Sequence, residues 1–265
     1  FKRSVSERDW SNSKIFLTYE KITKTFDTFK LEVDPGTIYE GEILCIVGEN
    51  GTGKSTFAKI LAGELKVDQN CSYKKLNEYI SYKPQYITND YKGGECSVQQ
   101  FISEYSYNYD FSEDIIERLY RPLGVHKLFS TQLKVLSGGQ LQRVYICACL
   151  AKRASLYIID EPSAYLDVEE RIHIASVIRS ITKHQNATTI CIEHDIAIID
   201  ELADRLFIFT GDPGIHGRTI GPLNKREGMN VFLKNLDVTF RRDFDTGRAR
   251  LNKKNSSKDR KQRSR

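Results

Sequence analysis

Eight residues constrain this chain more than any other stretch: Gly48-Glu49-Asn50-Gly51-Thr52-Gly53-Lys54-Ser55. They match G-x-x-x-x-G-K-[ST], a loop that binds phosphate. Glycines at 48, 51 and 53 admit backbone conformations that a side chain would block, so successive N–H groups can turn inward as an anion nest. Lys54 can place its ammonium on the β- and γ-phosphates, and the Ser55 hydroxyl can serve a magnesium ion. Residues 43–47 in front are a short apolar run, read as a buried parallel strand. Residues 55–61 behind read as a helix whose positive end faces the phosphates. A plain glycine-rich turn would lack that flanking pair. The nucleotide-binding set expected here is Gly48, Asn50, Gly51, Thr52, Gly53, Lys54, Ser55 and Thr56.

Further polar residues fall where strands should end. Residues 78–82 read as a strand stopped by Pro84, which leaves Gln85 near the phosphates. Leu136-Ser137-Gly138-Gly139-Gln140 opens a helix and offers a second exposed anion site. Residues 156–160 form an apolar strand ending in Asp160 and Glu161. The first carboxylate can hold magnesium, and the second can orient or deprotonate an attacking water. The strand at 188–192 ends in Glu193-His194-Asp195, so His194 is expected at the same site; the other four histidines are expected at the surface. Strands alternating with helices, with functional groups at strand C-termini, predict an α/β fold with its site along one sheet edge. Upstream, residues 15–38 alternate apolar and polar and suggest antiparallel strands turning at Asp34-Pro35-Gly36. Tyr19 or Phe26 on these strands could stack on a base, or serve as core aromatics. The Tyr-rich stretch 105–111 could stack on bases, or pack a small helical subdomain.

The 265 residues are 40% apolar and 28% charged, enough to bury a sizeable core. The longest apolar stretch, residues 144–151, is far too short to span a bilayer. The chain opens Phe1-Lys2-Arg3-Ser4, without Met or a signal-peptide core, and is expected to be an internal piece of a longer protein. Its six cysteines, at 45, 71, 96, 147, 149 and 191, form no C-x-x-C pair and read as small core hydrophobes in a reducing compartment. The net charge of +5 is uneven. From Arg241 onward there are 11 Lys and Arg against 3 Asp and Glu; the remainder has 29 against 32. A basic end of this kind can be a solvated tail or a contact to nucleic acid.

Taken together, the motifs resemble the nucleotide-binding domain of the ATP-binding cassette (ABC) superfamily across residues 15–211. The resemblance rests on the Walker A loop at 48–55, the Q-loop Gln85, the signature at 136–140, the Walker B Asp160 with Glu161, the D-loop at 163–167 and the switch His194. It implies an α/β ABC-type P-loop cassette with an antiparallel β subdomain and a helical subdomain at about 86–150. Residues 1–14 would be a linker, 212–227 a loop and 228–265 a basic hinge-like segment. It also implies ATP hydrolysis with Mg²⁺, with Lys54 on the phosphates, Ser55, Gln85 and Asp160 serving the metal, Glu161 polarising water and His194 on the γ-phosphate. Tyr19 would stack on adenine. Ser137 and Gly139 would act in trans, on nucleotide held by a partner cassette, and Gln140 of the same signature would also belong to the nucleotide-binding set.

Within the superfamily, Tyr82-Lys83-Pro84-Gln85, Ile192-Glu193-His194-Asp195 and the tail from Gly228 to Lys253 resemble the second cassette and hinge of subfamily E, the ribosome-recycling ATPases also called RNase L inhibitors. Gln140 departs from that subfamily, which usually has Glu there. The resemblance implies a cytoplasmic protein, with no membrane partner, that splits terminated ribosomes and binds the small subunit. Its partners would be the first cassette, ribosomal RNA and a release factor. The subfamily's first cassette and iron–sulfur domain are not in this sequence. Arg241, Arg242, Arg248, Arg250, Lys253 and Lys254 could contact ribosomal RNA, or pair with acids on the partner cassette. The main rival is the ATPase subunit of a membrane ABC transporter, which shares every motif up to His194. A non-catalytic ABC-like clamp on nucleic acid is the other; Lys54, Asp160, Glu161 and His194 argue against it.

Overall fold

A computed structural model of the chain describes residues 10–68, 79–106 and 112–236, with the backbone of 240–242 and 249–251. The N-terminal part is built of β1 (Ile15–Tyr19), β2 (Ile22–Thr25), β3 (Lys30–Val33) and β4 (Gly36–Tyr39). β1 pairs antiparallel with β4, and β2 with β3, as the alternating pattern predicts. β5 (Ile43–Gly48) leads through the glycine-rich loop into α1 (Lys54–Leu61). Among the described residues, β6 (Ile80–Lys83) is followed by α2 (Val98–Ser106), α3 (Glu113–Ile115) running into a π turn, and α4 (Gly138–Ala151), with an isolated bridge between Ser97 and Gln132. Then come β7 (Leu156–Asp160), α5 (Val168–His184), β8 (Thr188–Ile192), α6 (Ile196–Leu202), β9 (Arg205–Asp212), β10 (His216–Asn224) and α7 (Lys225–Asn235). β11 (Phe240–Arg242) and β12 (Ala249–Leu251) close an antiparallel pair.

The main sheet has eight strands in the order β2-β3-β10-β9-β5-β8-β7-β6. β9, β5, β8, β7 and β6 run parallel. Both faces of these strands are covered, which is why they read as unbroken apolar runs. Ile43, Cys45 and Val47 face the helical side, with Tyr157, Ile159 and Cys191. Leu44 and Ile46 face α1 and the antiparallel strands, with Phe57, Phe207 and Phe209. Each such side chain contributes about 1.5–3 kcal/mol when buried. The functional strand ends of β5, β7 and β8 therefore emerge side by side from a rigid core.

Two expectations fail here. Residues 212–227 are not a loop: β10 pairs antiparallel with β9 and parallel with β3, and α7 begins at Lys225. The Gly and Pro that suggested a loop instead form the turn before β10 and a register shift within it, between Ile220 and Leu223. Tyr19 is not a base-stacking residue. It is 1% exposed, with its ring edge-on to Phe57 at 5.8 Å and near Phe207 at 6.4 Å. The end of β1 points it into the core. Residues 107–111 of the Tyr-rich stretch, Cys71, residues 1–9 of the expected linker, and Arg248, Lys253 and Lys254 lie outside the described residues, as do the side chains of Arg241, Arg242 and Arg250.

Candidate functional site: a nucleotide site at the strand C-termini

The glycine-rich loop takes the shape its composition requires. Gly48, Gly51 and Gly53 have φ of 143°, 79° and 98°. A Cβ on Gly48 would run into the Phe209 carbonyl. Gly53 caps α1 in the left-handed conformation, so the helix starts at Lys54 with its N–H groups unclaimed by any capping side chain. The Thr52 hydroxyl donates to the Glu49 carbonyl at 2.7 Å and braces the loop, while Asn50 lies exposed on its crest. Lys54 is buried and donates to the Gly48 and Glu49 carbonyls at 2.9 and 2.7 Å. Burial lowers its pKa to about 8, against the pull of Glu161, Asp160 and Glu49. Ser55 and Thr56 follow in the first turn, both half-buried.

Asp160 ends β7 fully buried, and neither carboxylate oxygen has a hydrogen-bond partner among the described residues. Burial raises its pKa, while the nearby Ser55 hydroxyl favours the ionised form. Two orphaned anionic oxygens beside the P-loop serine suit a hard cation that prefers oxygen ligands. Glu161 follows with φ 49°. Its Oε1 accepts from Gln85 Nε2 at 2.8 Å and lies 3.4 Å from His194 Nε2. Burial and the Lys54 charge lower the His194 pKa, with Glu161 opposing them. The structure thus brings Lys54, Ser55, Gln85, Asp160, Glu161 and His194 to one place.

It does not bring the signature there. Ser137, Gly139 and Gln140 stand at the N-terminus of α4, in a capping box in which the Ser137 and Gln140 side chains bond each other's backbone N–H. Gly139 packs against the Tyr165 carbonyl in the D-loop.

Several residues around the site escaped the sequence reading. Phe29 lies against the P-loop: a Cβ on Gly53 would meet its ring at 3.1 Å. Its ring stacks, with centroids 6.4 Å apart, on Phe26, which the sequence already offers as a base-stacking aromatic. The buried Glu193 accepts from Ser163 Oγ at 2.9 Å and from the N–H groups of His194 and Asp195 at 2.7 and 3.0 Å, joining the D-loop to the switch loop. Lys83 and Gln142 are buried beneath Glu161. Their positions next to the recognised motifs were the only sequence signal they carried.

Parallel strands, P-loop and strand-end carboxylates define an ATPase of the ABC cassette class. The ABC transporter family matches residues 34–164. Over 258 residues, 97% of this chain and 42% of the relative, the sequence is 46% identical to an uncharacterized ABC transporter ATP-binding protein of Methanocaldococcus jannaschii. It is 37% identical to ABC transporter E family member 3 of Arabidopsis thaliana, covering 60% of this chain and 88% of that relative. The archaeal ribosome recycling factor aABCE1, solved with the archaeal ribosomal stalk protein aP1, superposes with a TM-score of 0.89 at 42% identity; the match spans all of this chain and 50% of that one. The chain belongs to ABC subfamily E, and spans less than half of its archaeal relative. Among the described residues, no helix is long and apolar enough to cross a membrane.

Proposed function

We propose that this chain is the ATP-hydrolysing second cassette of a two-cassette ribosome-recycling factor, which splits ribosomes after termination and binds the small subunit. The observation that carries the chemistry is the convergence of Gln85 and His194 on Glu161 Oε1, next to the P-loop. Lys54 and the loop amides would hold the phosphates. Ser55, Gln85 and Asp160 would hold Mg²⁺, which would supply charge neutralisation at the phosphate oxygens. Glu161 would take the proton of the attacking water. His194 would donate to the γ-phosphate. Phe29, with Phe26, replaces Tyr19 as the aromatic surface beside the nucleotide.

Ser137, Gly139 and Gln140, remote in their bonding from this P-loop, would complete the site of a partner cassette, and that partner's signature would complete this one. Closure around two ATP molecules would then be favourable only while the γ-phosphates are present. The resemblance to an archaeal ribosome recycling factor supports small-subunit RNA and a release factor as partners, and the cytoplasm as the location. The basic residues from Arg241 onward could serve ribosomal RNA or the partner cassette. In the full-length protein an iron–sulfur domain would be expected, as the resemblance to the subfamily implies.

The test is co-sedimentation of the full-length protein with small ribosomal subunits, in a non-hydrolysable ATP analogue and in ADP. Stronger binding with the analogue is expected. Absence of binding in both states, with ATPase intact, would overturn the ribosomal reading in favour of a transporter subunit.

A further inference from the structure

Glu161 holds its carboxylate from a left-handed backbone position, φ 49°, that non-glycine residues seldom adopt. Something must hold it there. Its own N–H is anchored to the Ile192 carbonyl of β8 at 2.9 Å. Its carbonyl accepts from Gln142 Nε2 at 2.7 Å, with Lys83 Nζ at 3.5 Å. The same lysine donates to the Asp160 carbonyl at 2.8 Å. Gln142 and Lys83 are both 0% exposed. Neither touches the carboxylate that would do the chemistry; both grip the peptide units that aim it.

Gln142 is also unusual for a packing residue. Its Oε1 is buried with no hydrogen-bond partner among the described residues. An amide with one buried orphan acceptor is a poor way to fill apolar volume, and a Leu or Met of similar size would do so without the penalty. The polar group is explained by what its Nε2 does. Gln142 further sits on α4, five residues past the Ser137 that opens the helix, so a single rigid element carries both the signature and the donor to Glu161.

We propose that Gln142 is a positioning residue: it fixes the Glu161 backbone from the signature helix of the same cassette, and so links engagement of the partner's nucleotide by Ser137 and Gly139 to the aim of this cassette's own carboxylate. The proposal rests on the reading of Glu161 as the residue that activates water. When α4 is pulled toward the partner's nucleotide, the Gln142–Glu161 bond transmits that displacement to β7, where Asp160 and Glu161 end the strand. Lys83 is the second, weaker hold on the same turn.

The experiment uses the full-length two-cassette protein carrying Gln142→Leu, Gln142→Glu, Lys83→Met or Glu161→Gln, and the double variant Gln142→Leu/Glu161→Gln. Turnover, equilibrium affinity for a fluorescent ATP analogue and thermal unfolding are measured for each. Gln142→Leu should lower kcat about tenfold while KM and analogue affinity stay within twofold and the melting temperature does not fall. A merely structural residue would move all of these together. In the Glu161→Gln background the Gln142 change should add no further loss, because it acts only through that residue. Gln142→Glu keeps the shape but places an acceptor against the Glu161 carbonyl, and should lower kcat at least as much; it decides the matter if the leucine variant does not fold. Wild-type kcat in both Gln142 variants, an equal fall in affinity and melting temperature, or additivity with Glu161→Gln would each overturn the proposal. Full turnover by Glu161→Gln would instead overturn the reading of Glu161 on which it rests.

Discussion

Gln85 Nε2 and Glu161 Oε1 are joined by a 2.8 Å hydrogen bond across the gap between the loop after β6 and the end of β7. His194 approaches the same Oε1 at 3.4 Å, so both contacts fall on one carboxylate oxygen. Glu161→Gln preserves size and hydrogen bonding but cannot accept the proton. Turnover should fall by about 10²- to 10⁴-fold, the usual span for loss of a general base. ATP binding should persist, since Lys54 and the loop are untouched. Single-turnover hydrolysis alongside equilibrium nucleotide binding checks both, and parallel loss of the two would remove Glu161 from the chemical step.

Tyr19 gives up the base-stacking role that the sequence pattern offered it, and Phe29, to which the pattern gave none, lies against the P-loop. The Tyr19 hydroxyl is buried without a hydrogen-bond partner among the described residues, so Tyr19→Phe should leave ATP affinity unchanged and hold or raise stability. Tyr19→Ala should destabilise by about 3–5 kcal/mol, as for other large-to-small core changes. Phe29→Ala should do the reverse, weakening ATP binding several-fold with little effect on stability. Loss of affinity in Tyr19→Phe would restore Tyr19 to the nucleotide.

Tyr19 shows what the sequence could and could not reveal. Period-2 alternation places Tyr19 on a strand, but which face meets the core depends on β1 pairing with β4 rather than with its sequence neighbour β2. No local signal encodes that. The parallel strands were legible because burial on both faces leaves unbroken apolar runs, and Asp160, Glu161 and His194 because they terminate those runs. β10 was not legible: its Gly217 and Pro222 are turn-formers, yet Gly217 sits in the strand where a Cβ would strike the Thr52 carbonyl. Glu193 and Gln142 were hidden for a similar reason. Their partners, Ser163 at 30 residues and Glu161 at 19, become neighbours only once the sheet is assembled.

Gly48 lies where β5 passes into the loop, at φ 143° and against the Phe209 carbonyl of β9. A methyl group there meets backbone, which cannot rotate away. Gly48→Ala should therefore cost about 1–3 kcal/mol in backbone strain alone, and should weaken ATP binding by distorting the nest. Gly63→Ala serves as the control: it also has positive φ, 78°, but a Cβ there meets nothing within 4 Å. It should lose stability of the same order through φ while leaving ATP affinity intact. Equal nucleotide affinity in the two variants would contradict a role for the close approach at Gly48.

Arg205 and Glu42 form a buried pair away from the nucleotide site, with Arg205 Nη1 3.3 Å from Glu42 Oε2. The guanidinium also donates to the Thr37 and Pro222 carbonyls at 3.0 and 3.1 Å and lies over the Tyr39 ring at 5.1 Å. Glu42 Oε1 accepts from the Tyr39 N–H at 2.8 Å. Burial raises the Glu42 pKa from 4.5 to about 7, with Arg205 opposing. A carboxyl whose pKa is higher in the folded state binds its proton more tightly there, so its stabilising contribution is complete below about 4.5 and is lost as pH rises toward 7. The change should be on the order of 2–3 kcal/mol across that window. Glu42→Gln cannot titrate. The stability of the wild-type chain relative to this variant should therefore decline by that amount between pH 5 and 7.5, as measured by denaturant unfolding at matched ionic strength. A pH-independent difference would mean that Arg205 holds Glu42 ionised throughout, and that the pair is a conventional buried ion pair.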